Sequence, residues 1–205
     1  MGLGGGQITN YLFERFPDLH IDAVDIDPEV VRLAKKYFGV PTHPRYRTEV
    51  LDGRMAIERG TVSWDMIMLD AFRGVFVPEH LKTQEFYKTC LDHLSADGVV
   101  VANLHNQART YSHDRQTLAA VFPQRYSFVS ESRNQTTFVA AANAARVGSY
   151  AIRANARSVA PRFDFDIMGL AARHYLRCDW DISARVLRDD FEASQLEEAA
   201  QRYNR

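Results

Sequence analysis

The sequence predicts an α/β fold: a largely parallel sheet wound with helices, closed by an antiparallel edge hairpin and followed by a helical C-terminal tail. Three observations predict it. Short apolar, β-rich runs alternate with segments of helical spacing, the order that builds a parallel sheet with helices on its faces. The run Trp64-Asp65-Met66-Ile67-Met68-Leu69 is nearly continuous in apolar residues, as expected of a strand covered on both sides. A glycine loop opens the chain and passes directly into a helix, the arrangement that turns free helix N–H groups toward a ligand.

The elements follow in order. After the loop Met1-Gly2-Leu3-Gly4-Gly5-Gly6 comes a helix over 7–16 and a strand over 20–24. Val30, Val31, Ala34, Tyr37 and Phe38 share one face of a helix over 28–38. A strand over 46–51, a short helix around 55–58 and the apolar strand 64–69 come next. Thr83 is the expected N-cap of a helix over 83–94, with Glu85 in the first turn where the helix dipole favours an acid. The turn Ala96-Asp97-Gly98 precedes a strand over 99–104, and residues 117–122 fall in a helix that stops before Pro123. Runs 125–130 and 136–141 make an antiparallel hairpin around Arg133-Asn134-Gln135. From about Ala144 the composition shifts to Ala, Arg and Asp, with helical spacing at 167–176 and 191–203. Residues 1–143 read as a ligand-binding domain and 144–205 as its helical extension.

A glycine loop of this kind normally follows a strand, and here the chain starts inside the loop. The first, central strand of the sheet is therefore expected to be missing, and the chain by itself to be poorly soluble or inactive.

Bulk properties narrow the function. The 205 residues suffice for a real core, and 46% hydrophobic with 25% charged residues excludes a disordered chain. A net charge of −1 without a basic run gives no case for nucleic acid. No apolar run approaches the ~18 residues of a membrane span. Cys90 and Cys178 stand far apart and read as reduced thiols; with no basic leader, a cytoplasmic protein is expected. His20, His43, His80, His93, His105, His113 and His174 form no H-x-x-x-H pair and stand near no cysteine cluster, so no metal is expected.

Four features carry the chemistry. Gly2, Gly4 and Gly6 have G-x-G-x-G spacing, which lets the backbone turn tightly and approach a ligand closely. About 20 residues on, where an acid typically binds ribose hydroxyls, stands Ala23-Val24-Asp25-Ile26-Asp27-Pro28. Asp27 before Pro28 suits a helix N-cap; Asp25, at the strand end with no local structural task, is the ribose candidate. Asp52 in Leu51-Asp52-Gly53 ends the next strand and is placed to accept from an adenine amino group, or simply to form a turn before Gly53. Asp70 ends the apolar strand at the edge where open α/β sheets bind ligands, placed to hold or deprotonate an amine, or to cap the next turn. Residues 73–82, with Gly74 and Pro78, form a loop over the cleft. Asn103, His105 and Asn106 follow the strand 99–104 toward that cleft. Phe86 and Tyr87 read as core; Asp189 with Asp190 reads as a solvated or paired acidic couple, a return to the rim of the site being the alternative.

Taken together, GLGGG, VDIDP, LDG, WDMIMLDAF, HLKTQEFY, LSADGVVVANL and the late segment Arg185–Phe191 (RVLRDDF) resemble the spermidine-synthase (polyamine aminopropyltransferase) family, especially its bacterial spermidine synthase-like members. The resemblance implies a Rossmann-like sheet of the S-adenosylmethionine-dependent methyltransferase type. It implies decarboxylated S-adenosylmethionine as aminopropyl donor, a diamine such as putrescine as acceptor, and no metal. Carried over by position, Asp25 binds ribose, Asp52 adenine and Asp70 the reacting amine, with Gly2, Gly4, Gly6 and Gly53 shaping the nucleoside pocket. A small-molecule amine is the expected partner, with a homodimer open and neither nucleic acid nor membrane involved. Two departures point elsewhere. The family's loop aspartate, which helps bind the donor's amine and repels a carboxylate, falls on Gly4, so intact S-adenosylmethionine is not excluded on charge grounds. The family's D-S-S-D pair reads Asp70-Ala71-Phe72-Arg73, and an Arg there would repel a diamine. An S-adenosylmethionine-dependent methyltransferase and a non-catalytic nucleoside-binding module are the alternatives.

Overall fold

The computed structural model describes residues 1–72, 77–130, 134–175 and 180–189. Helix α1 (Gln7–Arg15), strand β1 (Ile21–Asp25), helix α2 (Pro28–Tyr37), strand β2 (Tyr46–Val50) and helix α3 (Gly53–Glu58) come first along the chain. Strand β3 (Trp64–Leu69), helix α4 (Gln84–Asp92), strand β4 (Leu94–His105) and helix α5 (Tyr111–Ala119) follow. The hairpin β5 (Gln124–Ser130) and β6 (Gln135–Ala141) precedes helices α6 (Ser149–Val159) and α7 (Ile167–Ala172). A two-residue strand β7 (His174–Tyr175) then returns to the sheet beside β5. The expected helix 167–176 thus ends early. Residues Arg73, Gly74, Arg133, Leu176, Cys178, Asp190 and the expected helix over 191–203 lie outside the described residues.

The strands fall into two groups, where one continuous sheet would be the simple reading of an α/β order. β1 pairs with β2 in parallel, and β3-β4-β6-β5-β7 form a second sheet. Only β3 and β4 are parallel in it; β6 and β5 run antiparallel, so the edge hairpin is where the alternation placed it. Between β1 and β3 lie Met1 and Gly2. The Met1 amine donates to the Met68 carbonyl at 2.7 Å, and the Met1 carbonyl accepts from the Asp70 N–H at 3.1 Å. The Gly2 N–H donates to the Val24 carbonyl at 2.9 Å. Toward β3 the two Met1 bonds have the pattern of a parallel bridge; toward β1 there is the one bond from Gly2. At the opposite end of the gap, Trp64 Nε1 reaches across to Asp22 Oδ2 at 3.1 Å.

Packing follows the same division. α2 lays Val31 and Ala34 on Ala23 of β1 and Tyr46 of β2, together with Leu3 and Val40. The larger core joins Ile67 and Leu69 of β3, Val100, Ala102 and Leu104 of β4, Phe138 and Ala140 of β6, and Phe86, Tyr87, Cys90, Leu118 and Phe122 from the covering helices. Phe86 and Tyr87 are buried, as their spacing predicts. The expectation that β3 is covered on both faces fails in part: Met66 is 50% exposed. Met66 and Met68 line the gap toward β1. The expected turn at 96–98 is an irregularity within β4, which pairs Leu94 with Trp64 but Val99 with Met66.

Side-chain caps open α2 and α4, whereas α1, α5 and α6 start without one. Thr83 accepts from the Phe86 N–H to open α4, as read from the sequence. Asp27 accepts from the Glu29 N–H at 2.8 Å, with Pro28 as the first residue of α2. No helix among the described residues is long and apolar enough to cross a membrane.

Candidate functional site

A cleft of about 1830 Å³ runs along the carboxyl ends of β1, β2 and β3 and into the gap between β1 and β3. Gly2, Gly4, Asp25, Asp52, Gly53 and Asp70 all line it; Gly6, expected to shape the nucleoside pocket, is not among its lining residues. The three strand-ending aspartates therefore open on one side of the molecule, and the glycine loop closes that side before α1.

The loop needs its glycines. Gly2, Gly4 and Gly6 have φ of 78°, 52° and 68°, the left-handed region that costs other residues about 1–2 kcal/mol. The positions differ in what surrounds them. A Cβ on Gly2 would be driven into the Asp70 carbonyl and Ala71 backbone, whereas one on Gly4 meets nothing within 4 Å. Gly2→Ala is therefore expected to lower the melting temperature clearly more than Gly4→Ala. Thermal unfolding of the two variants checks this, and the reverse order would show that the loop is not wedged against β3.

Asp25 has more to do locally than the sequence suggests. Its Oδ2 accepts from the Leu3 N–H at 2.9 Å and the Gly4 N–H at 3.4 Å, and its Oδ1 accepts from the Asp27 N–H at 3.1 Å. The reading of no structural task is corrected: this carboxylate ties the glycine loop to the end of β1. A carboxylate offers about four lone-pair sites, so capacity remains on the cleft side.

Asp52 is the N-cap of α3. Its Oδ1 accepts from the Arg54 N–H at 2.9 Å and the Met55 N–H at 3.2 Å. Its Oδ2 lies 2.7 Å from His80 Nε2, and the imidazole donates because an ionised carboxylate only accepts. Burial raises the Asp52 carboxyl, but the bonds from His80, Met55 and Arg54 outweigh it and hold it below the usual range. His80 sits on a 3-10 turn, Glu79–Leu81, that forms part of the cleft wall. Sequence reasoning set His80 aside with the scattered histidines; nothing in its spacing marks a partner 28 residues away.

Asp70 stands just past β3, its N–H bound to the Met1 carbonyl. Asn103 on the adjacent strand β4 donates through Nδ2 to Asp70 Oδ1 at 2.9 Å, which fixes the carboxylate and leaves Oδ2 toward the cleft. Parallel pairing explains the meeting: Leu69 faces Ala102, so the next residues, Asp70 and Asn103, fall side by side. His105 lines the cleft and accepts from the Gln107 N–H through Nδ1 at 3.3 Å. Asn106 does not join it; its Oδ1 accepts from Thr136 Oγ1. The loop over the cleft is described from Val77 onward, and Val77 to Lys82 line the opening.

One buried pair escaped the sequence reading. Lys82 Nζ donates to Thr110 Oγ1 at 3.1 Å and lies 3.3 Å from Asp114 Oδ1, with both charged side chains nearly covered. Burial pushes the Asp114 carboxyl up, and Lys82 and Thr110 only partly offset it. Among the described residues no group of three or more His, Cys, Asp or Glu side chains is gathered as a metal centre would require.

A glycine loop opening a helix, an acid at the end of the following strand, and a cleft across the carboxyl ends define an α/β protein of the S-adenosylmethionine-dependent methyltransferase type. The fold is shared with human methyltransferase-like protein 13 in complex with SAH, with a TM-score of 0.69 at 21% identity, over 95% of this chain and 86% of that one. A family model for the spermine/spermidine synthase domain matches residues 3–136. The polyamine aminopropyltransferase of Vibrio vulnificus (strain CMCP6) is 33% identical over 202 residues, 96% of this chain and 68% of that protein. That of Chromobacterium violaceum is 32% identical over 126 residues, 61% of this chain and 48% of that protein. The chain belongs to the spermine/spermidine synthase family. It spans about two thirds of the Vibrio relative and about half of the Chromobacterium one.

Proposed function

We propose that this chain is an aminopropyltransferase-type transferase that binds decarboxylated S-adenosylmethionine in the cleft and passes its aminopropyl group to a small amine, a diamine such as putrescine being the acceptor class. The observation that carries this reading is Asp70: a carboxylate at the sheet's carboxyl edge, oriented by Asn103, in the same cleft as the glycine loop and Asp25.

In this reading Asp25 takes the ribose hydroxyls with its remaining acceptor capacity, and Asp52 takes the adenine amino group. Gly2, Gly4, Gly6 and Gly53 let the backbone approach. Asp70 holds the acceptor amine and accepts its proton. The freed nitrogen lone pair forms a C–N bond to the methylene carbon next to the sulfonium. The C–S bond breaks, its electron pair neutralises the sulfur, and methylthioadenosine leaves. Positioning and proton removal are what the protein supplies, because the sulfonium is already a good leaving group. A cytoplasmic location belongs to the same reading, supported by the two widely spaced cysteines.

A second reading has its own observation. A Cβ added at Gly4 would meet nothing within 4 Å, so the loop is open at that point and places no carboxylate beside the donor. Intact S-adenosylmethionine would not be repelled there, and methyl transfer would follow. Calorimetric titration separates the two. Tighter binding of the decarboxylated donor, with methylthioadenosine formed in the presence of putrescine, supports aminopropyl transfer. Tighter binding of the intact donor supports methyl transfer, and binding of neither rejects both.

The two aspartates after β1 should separate cleanly. Asp25→Ala is expected to weaken methylthioadenosine binding by about 1.5–3 kcal/mol, the scale for losing charged hydrogen bonds, and to loosen the glycine loop. Asp27→Ala is expected to cost about 1 kcal/mol of stability through the lost α2 cap, with affinity nearly unchanged. Titration and thermal melts of both variants decide it; exchanged phenotypes would mean the roles are reversed.

A further inference from the structure

Asp189, near the end of the described chain, stands where α3, the start of α4 and the late segment meet, behind the cleft. Arg54, at the start of α3, donates to its Oδ1 at 2.8 Å and its Oδ2 at 2.7 Å, the two-pronged geometry that makes Arg–carboxylate pairs directional. Thr83, the cap of α4, donates to Asp189 Oδ1 at 2.7 Å. The Asp189 N–H donates to Glu85 Oε2 at 3.1 Å. The segment leading to Asp189 is laid down by backbone bonds: Gln84 N–H to the Leu187 carbonyl at 2.8 Å, and Leu187 N–H to Thr117 Oγ1 at 3.0 Å.

The same guanidinium continues toward the site. Arg54 Nη1 also reaches the His80 carbonyl at 3.4 Å, and Nε donates to Glu58 at 2.9 Å. The Arg54 backbone N–H is held by Asp52 Oδ1, while His80 Nε2 holds Asp52 Oδ2. A chain of contacts therefore runs Asp189–Arg54–His80–Asp52, joining the far end of the sequence to a carboxylate in the cleft. Asp189 itself is not among the residues lining the cleft.

We infer that Asp189 is a positioning residue for the nucleoside end of the cleft: by holding Arg54 it fixes the turn Glu79–Leu81, so that His80 sets the Asp52 carboxylate for its ligand. The inference rests on the reading of Asp52 as the adenine acceptor. Without Asp189, the acid partner left to the Arg54 guanidinium among the described residues is Glu58, and it turns along α3. The His80-bearing turn then loses its tether, and Asp52 Oδ2 loses its orientation. The acceptor end, built on Asp70 and Asn103, is untouched.

The test is a double-mutant cycle read by calorimetry with methylthioadenosine, and by thermal melts. Asp189→Asn should weaken binding about tenfold in the unaltered background. In an Asp52→Asn background, where the α3 cap oxygen remains but the carboxylate is gone, the same change should alter affinity less than twofold. Arg54→Lys, a milder change that keeps the charge and loses the fork, should reproduce the donor-specific loss if Asp189→Asn folds poorly. The Michaelis constant for the amine should stay within twofold in both variants. An equal factor in both backgrounds, or affinity within twofold of the unaltered chain, would overturn the inference and leave the proposed function standing. Failure of the unaltered chain to bind methylthioadenosine would overturn both.

Discussion

Asp70→Asn is expected to reduce turnover by about 10²–10⁴-fold, the range for losing a positioned general base, with methylthioadenosine affinity nearly unchanged. The geometry makes the substitution clean. Asn103 donates to Asp70 Oδ1, and an asparagine keeps an acceptor oxygen there. The Asp70 N–H is tied to the Met1 carbonyl by a bond that no side chain affects. What disappears is the negative charge facing the amine and the capacity to take its proton. Asn103→Ala is the companion: it keeps the base but frees its rotamer, so a smaller loss of turnover is expected, with the amine's Michaelis constant raised. The measurement is methylthioadenosine release from decarboxylated donor and putrescine. Turnover of Asp70→Asn within about threefold of the unaltered chain would remove Asp70 from the chemistry and leave it a turn-capping residue.

Much of the fold was legible because its signals are local. The alternation of apolar runs and helical spacing, the Thr83 and Asp27 caps, and the hairpin 125–141 each depend on residues a few positions apart, and each lies close to where the sequence places it. The glycine loop was legible for the same reason: three glycines at alternate positions serve a backbone that visits the left-handed region three times. Contacts between distant segments were not. His80 meets Asp52 across 28 residues and Asp189 meets Arg54 across 135, and no spacing rule links such pairs. Asn103 falls between the two cases. Its strand was recognisable and its direction toward the cleft was read, but its bond to Asp70 depends on the parallel register of β3 and β4. Asp25 shows the limit of inference by elimination: it was singled out for having no local structural task, and it has one.

The largest stability effect is expected from the gap between β1 and β3. β1 is paired on one side by β2, and β3 on one side by β4. Toward each other, among the described residues, Val24, Met68 and Asp70 bond to Met1 and Gly2. The Met1 amine is also buried in this position, where burial pulls it below its usual range while Asp70 and Asp25 pull it upward. Fusing an apolar, β-branched segment of about five residues, a common strand length, ahead of Met1 changes both facts. The Met1 amine becomes a peptide N–H that still donates to the Met68 carbonyl, and the buried ionisable group is gone. The added residues continue the parallel ladder toward Trp64 and Asp22 and cover Met66, now half exposed. Each hydrogen bond formed contributes a net ~0.5–1.5 kcal/mol. A gain of about 3–5 kcal/mol in total then corresponds to a rise of roughly 10 °C in melting temperature for a chain of this size. The check is a pair of thermal melts, with and without methylthioadenosine, on the unaltered and extended chains. A segment of the same length built from glycine and serine serves as control, since it removes the ionisable group without favouring a strand. Equal melting of all three would show that β1 and β3 do not accept a strand between them, and that Met1 and Gly2 already complete the pairing this sheet uses.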